Sequence, residues 1–171
     1  MPEISNAAEW ERVLGRIFLA FSVIEASING MLRHWVDPDE FSQIEHGSLS
    51  KRIRRLRGLT NDFVFGPDRH VLLANLTKVS MNVMERNVVA HGPALFESGT
   101  SEKSPQSLEG IITRNRSVPR RLGLAELTSL ADLVQILSIT LLQNNLEIRS
   151  RGHPASEADE EALATAALAQ A

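Results

Sequence analysis

Apolar residues recur at steps of three and four in several long segments of this chain, a period that belongs to helices. From about Asn6 to Trp35, the residues Leu14, Phe18, Phe21, Ile28, Leu32 and Trp35 fall on one stripe. Asp37-Pro38 ends that helix, because the residue before a proline is pushed out of helical geometry. Asp37 to Gly47 is polar and reads as a loop. Ser48 or Ser50 then caps a second helix carrying Leu49, Ile53, Leu56 and Leu59. After the break at Gly66-Pro67-Asp68, a third helix runs from about Asp68 to His91, with Leu72, Leu76, Val79, Val83 and Ala90 as its buried stripe. Gly92 suits the position just past its end, and Pro93 cannot continue it. A fourth helix, from about Leu124 to Ile148, presents Leu127, Leu130, Leu133, Val134, Leu137, Leu141 and Leu142, and Gly152-His153-Pro154 stops it.

Residues 93–121 differ in character. Ala94-Leu95-Phe96 and Ile111-Ile112-Thr113 flank a stretch rich in Ser, Gly and Pro, which reads as a short β-hairpin or an ordered insertion. The expected fold class is therefore all-α: an antiparallel four-helix bundle with that insertion between helices 3 and 4. One domain spans 1–151, and an Ala-rich acidic tail follows over 152–171. Trp10 and Trp35 read as core or dimer-contact aromatics on the first helix.

Two charges break the apolar stripes. Glu25 lies between Phe21 and Ile28, and Arg86 lies between Val83 and Ala90. A charge left alone in a core is costly, on the order of 3–5 kcal/mol once its partner is removed. Opposite charges in two facing seams are therefore expected to meet, with Glu25 holding the Arg86 guanidinium toward a ligand.

Composition narrows the chemistry. With 171 residues, 43% hydrophobic and 23% charged, the chain resembles an ordinary globular domain. The net charge of −3 gives no global attraction to nucleic acid, so any such attraction must be local. Cysteine is absent, which excludes disulfides, thiolate metal sites and thiol nucleophiles. No uninterrupted apolar run reaches membrane-spanning length, and the first residues do not read as a secretory signal. A cytoplasmic protein without membrane attachment is the expectation. The five histidines show no ligand spacing, and there is no phosphate-binding Gly-rich loop. Neither a metal nor a cofactor is expected.

The most chemical stretch is Arg86-Asn87-Val88-Val89-Ala90-His91-Gly92. Asn87 and His91 are spaced i, i+4 and share a helix face. Arg86 is one residue round, with a long side chain suited to forked bonds on a phosphate. His91 falls in the last turn, at the negative end of the helix dipole. An imidazole there can give or take a proton near neutral pH. Asn87 can orient the ring or contact a phosphate oxygen.

Arg86, Asn87 and His91, in an amphipathic helix that follows another with an in-seam Glu25, resemble the HEPN superfamily (higher eukaryotes and prokaryotes nucleotide-binding domains). Its signature is Arg, a polar residue, then His, with four to six residues between Arg and His. The resemblance covers the layout from about Asn6 to Ile148, though its specific motif is residues 86–92. It implies a helical homodimer acting as a metal-independent endoribonuclease, with Arg86, Asn87 and His91 as site residues and Glu25 in support. The RNA 2′-hydroxyl would attack the adjacent phosphate and leave a cyclic phosphate. It also implies defence or toxin–antitoxin systems, with an antitoxin or nucleotidyltransferase as partner. One departure stands out: some such toxins carry a modifiable tyrosine two residues after the histidine. Here that residue is Pro93 and the chain has no tyrosine, which excludes neutralisation by that modification.

Two basic clusters are candidates for RNA-backbone contact. Lys51, Arg52, Arg54, Arg55 and Arg57 crowd the second helix, read here as facing outward, while Arg114 and Arg116, with Arg120 and Arg121, lie just past the insertion. Aromatic residues make up only 5% of the chain, which disfavours base-by-base reading of a single strand. The alternatives are a non-catalytic helical dimer interaction module and a nucleotide-binding regulatory subunit. The first would bury His91 with both ring nitrogens bonded. The second would enclose a nucleotide-sized pocket.

Overall fold

Helix α1 (Ala7–Trp35) is the spine of the molecule. The computed structural model describes residues 6–64, 66–92, 94–97, 107–112 and 121–150. The buried face of α1 runs through Trp10, Val13, Ile17, Phe21, Ile24, Ile28, Met31 and Trp35. Phe21, Ile28, Leu32 and Trp35 of the expected stripe are buried, and only its first part departs: Phe18 is 39% exposed and Leu14 only half-buried, while Val13 and Ile17 turn inward. The first half of the helix is apolar over a wide arc, and there packing chose Trp10, Val13 and Ile17. Both tryptophans belong to the core, with Trp35 tilted against Phe63 at 6.2 Å between ring centroids.

The segment read as a loop after α1 contains a helix, α2 (Pro38–Glu45). Asp37 caps it, its carboxylate accepting the Glu40 N–H at 2.8 Å, and Pro38 occupies the first turn, where a missing N–H costs nothing. Phe41 is buried beneath the Arg33 guanidinium, which lies 4.5 Å from the ring centroid. Helix α3 (Leu49–Phe63) starts from Ser48, whose hydroxyl accepts the Lys51 N–H at 3.4 Å. Helix α4 (Pro67–His91) starts after Gly66. With φ at +70°, Gly66 adopts a backbone form that side chains disfavour. Helix α5 (Leu124–Ser150) closes the described chain.

Helices dominate the described residues, which places the fold in the all-α class. Between α4 and α5, backbone pairing joins β1 (Ala94–Glu97), β2 (Ser107–Ile112) and β3 (Arg121–Leu122) in the order β1-β2-β3, antiparallel throughout. Buried Leu122 ties this excursion to the helical core.

Helices α1 and α5 pack extensively and run parallel. Arg16 donates to Asp132 at 2.6 Å and to Gln135 at 2.7 Å, and one long step along both helices the backbone of Gly30 lies against the Asn145 side chain. The expected up-and-down order of neighbouring helices therefore fails for this pair. On α5 the buried face is Leu127, Leu130, Ala131, Val134, Leu137 and Leu141, while Leu133 and Leu142 are turned outward. By length and composition, α1 and α5 are each apolar enough to cross a membrane. In this fold, each contributes one face to the shared core.

Candidate functional site

Glu25 and Arg86 meet, at the rim of the core rather than within it. Glu25 borders the buried stripe of α1, with its side chain 27% exposed. Its Oε1 accepts from Arg86 Nη2 at 3.2 Å, and its Oε2 accepts from Arg52 Nη2 at 2.9 Å. One carboxylate is thus clasped between two guanidiniums from different helices. Asn29, one turn further along α1, accepts from Arg52 Nη1 at 2.8 Å. Arg86 Nη1 donates to Asn87 Oδ1 at 3.2 Å. Asn87 therefore engages the guanidinium of its chain neighbour, the second of the contacts that orient Arg86.

The two arginines differ in setting. The Arg52 side chain is 10% exposed, whereas that of Arg86 is 31% exposed. Arg52 is a strut that holds Glu25 from below, and Arg86 is the cation that reaches solvent. This corrects the reading of Arg52 as an outward, RNA-facing cation. Leu49, Arg52, Leu56 and Leu59 are all buried on α3 and follow steps of three and four, so Arg52 occupies an apolar slot, as Glu25 and Arg86 were recognised to do. Asn29 was also missed, and its one signal is its place one turn after Glu25.

Other predicted site residues are more dispersed. Lys51, Arg54, Arg55 and Arg57 face outward. Of these, Arg55 is bound to Glu40, by Nη2 at 2.6 Å and Nε at 2.7 Å. Arg114, Arg116 and Arg120 lie outside the described residues, as does the side chain of Arg121.

His91 is the last residue of α4 and is exposed. The Gly92 N–H closes the helix on Val88 O at 2.6 Å. Gly92 itself is extended (φ −73°, ψ 144°), so its conformation does not require glycine. A cavity of about 230 Å³ opens beside the clasp, lined by Gly47, Ser48, Ser50, Arg52, Arg86 and Asn87 among others. His91 stands outside this lining. A larger open hollow of about 830 Å³ lies between α1 and α5, with Asn29, Arg33, His34, Asn145 and Arg149 on its walls.

The site can thus present an oriented, half-exposed guanidinium, an amide bonded to it, and an exposed imidazole one helical turn away. No family model, curated protein or solved structure matches this chain.

Proposed function

We propose that this protein is a HEPN-like, metal-independent endoribonuclease acting as a cytoplasmic homodimer. The observation that carries the reading is the orientation of Arg86: Glu25 and Asn87 each take one of its terminal nitrogens. A guanidinium held in advance of substrate stabilises developing phosphate charge without reorganising during the reaction. Glu25 is itself held by Arg52, which makes the clasp stiff.

In this reading the 2′-hydroxyl of RNA attacks the adjacent phosphorus, and His91 accepts its proton. Arg86 stabilises the charge that builds on the non-bridging oxygens. The 5′-oxygen leaves with a proton donated by the partner subunit's His91, and a 2′,3′-cyclic phosphate remains. An acid and a base on opposite sides of the phosphorus suit an in-line displacement. Metal independence and the pairing of two subunits come from the HEPN resemblance.

The exposure of His91 favours this reading over the interaction module, which would bury the ring. Outward Lys51, Arg54 and Arg57 supply cations for the RNA backbone. An apolar row on the outer face of α5, from Ile136 and Ile139 to Leu142 and Leu146, supports a dimer surface. The helical arrangement and the inserted segment between α4 and α5 support a HEPN-like bundle with a hairpin excursion. Defence or toxin–antitoxin duty, with an antitoxin or nucleotidyltransferase as partner, belongs to the same proposal.

The test is digestion of a mixed RNA pool in chelator by wild type and His91→Ala. Wild type should leave cyclic-phosphate ends, and the variant should leave the pool intact. A folded, dimeric wild type that cuts nothing would remove the nuclease reading and favour the interaction module.

A further inference from the structure

The inward face of α5 runs through Leu127, Leu130, Val134, Leu137 and Leu141, and the next member of the series is Asn145. An amide in an apolar slot is costly unless it is hydrogen-bonded. Asn145 is only 6% exposed. Among the described residues neither end of its amide has a partner: Oδ1 is sealed and unbonded, whereas Nδ2 keeps an opening to solvent. That opening is the hollow of about 830 Å³ between α1 and α5, which Asn145 lines.

Gly30, on the facing helix, is fitted to this amide. A Cβ there would stand 2.6, 2.8 and 3.0 Å from Oδ1, Nδ2 and Cγ of Asn145, so the amide rests on bare backbone. Glycine in a helix interior weakens the helix relative to alanine. The chain thus gives up helix stability at Gly30 and hydrogen bonds at Asn145 in the same place. Nothing within the fold compensates either loss.

The other polar groups on the walls are donors as well. Asn29 Oδ1 is taken by Arg52 at 2.8 Å, which leaves the Asn29 NH2 to donate. Parallel packing brings the ends of α1 and α5 to the same side, with Arg33 and His34 in the last turn of one and Arg149 in the last turn of the other. Arg33 lies over Phe41, and its Nη2 stands 3.6 Å from Glu45, too long for a hydrogen bond. Arg149 has no acidic partner among the described residues. Among those residues no carboxylate lines the hollow. Cations at helix ends suit the dipole, and that would account for the arginines alone. It does not account for an unbonded, buried amide seated on a glycine. Val23 and Leu142 add an apolar wall.

We propose that this hollow binds a small organic oxyanion, a phosphate or carboxylate carried on an apolar body. Its oxygens would accept from Asn145 Nδ2, Asn29 Nδ2 and the Arg149 guanidinium, with Arg33 adding positive charge. The body would rest on Val23 and Leu142. A volume of about 830 Å³ falls within the roughly 300–1,000 Å³ usual for small-molecule pockets. The site uses none of Arg86, Asn87 and His91, so it stands apart from the nuclease reading.

The experiment titrates the full-length ¹⁵N-labelled protein with phenyl phosphate and with benzoate at constant ionic strength. Inorganic phosphate and benzyltrimethylammonium are the controls, one without the apolar body and one with the opposite charge. The side-chain NH2 signal of Asn145 should shift saturably with at least one of the two organic anions, more weakly with inorganic phosphate, and not with the cation. Tighter binding of phenyl phosphate identifies a phosphate ester, and tighter binding of benzoate identifies a carboxylate. Arg149→Gln, an exposed change that leaves the core intact, should weaken binding roughly tenfold. Asn145→Leu should hold or raise the melting temperature, because it removes an unbonded buried amide, and should weaken binding by a similar factor, read from the backbone amides of Gly30 and Arg149. Non-saturable shifts with both organic anions, equal binding of the cation, or unchanged binding in folded Arg149→Gln would overturn the proposal. Loss of RNA cleavage with these shifts intact would count against the nuclease alone.

Discussion

Replacing Glu25 with alanine tests the clasp most directly, because the three charged side chains sit at different depths. Fully exposed ion pairs contribute about 0–1 kcal/mol, whereas breaking a buried pair costs about 3–5 kcal/mol. Glu25 is 27% exposed, but its partner Arg52 is only 10% exposed. In Glu25→Ala the Arg52 guanidinium keeps Asn29 and loses its counter-charge, while Arg86 can swing into water. The expected loss lies between the two limits, at about 2–4 kcal/mol. At roughly 2–4 °C per kcal/mol for a domain of this size, the melting temperature falls by several degrees at least. Arg86→Ala should cost much less, about 1 kcal/mol or under, because Glu25 then retains its shorter bond to Arg52. Urea unfolding monitored by circular dichroism, with similar m-values across the set, gives both numbers. The ordering is the decisive readout. A Glu25→Ala protein within about 0.5 kcal/mol of wild type would show that Arg52 does not depend on Glu25, and an Arg86→Ala protein as destabilised as Glu25→Ala would refute the assignment of the larger share to Arg52.

Two further outcomes follow from the same geometry. Asp37→Ala removes the cap of α2 and should cost about 1 kcal/mol, read by urea unfolding; Asp37→Asn should recover most of it, and equal losses in both would mean that the cap contributes nothing. Ile139→Asp places a charge in the exposed apolar row of α5 and, on the proposal that this row is the dimer surface, should yield a monomer in light scattering, with the helical signal unchanged. A dimer that survives the substitution would place the interface on another face.

The helices were legible because their periodicity spans many turns and their ends carry strong stop signals. α1, α4 and α5 begin and end within a few residues of the expected positions. α2 was not legible by periodicity, since eight residues expose all but one side chain to partial or full solvent. Its signature was local: Asp37, then Pro38, then Glu40 three residues after the cap, the pattern of a helix start. The departure at Leu14 and Phe18 on α1 has a different origin. An apolar arc wide enough to hold Phe18 and Ile17 together does not choose its inward side alone, and that choice belongs to the neighbours. Parallel packing of α1 and α5 was hidden for a related reason. Adjacent antiparallel helices follow from short connections, and here 32 residues separate α4 from α5.

The site shows how one rule, applied unevenly, produces one correct and one missed partner. Glu25 and Arg86 were recognised because each was the lone charge in an otherwise apolar series. Arg52 stands in an equally apolar series, Leu49, Leu56 and Leu59, but four other cations surround it in the sequence, and local density suggested a solvated basic face. Position along the helix decides, not density. On α3 the five cations divide by what they touch: Arg52 goes inward to Glu25 and Asn29, Arg55 to Glu40, and Lys51, Arg54 and Arg57 to solvent. The basic run therefore offers fewer charges to an RNA backbone than its composition suggests. It supplies in exchange the buried cation that holds Glu25, and through Glu25 the guanidinium of Arg86. A helix that looked like a surface for binding is, on its inner side, the support for the residue most suited to meet phosphate.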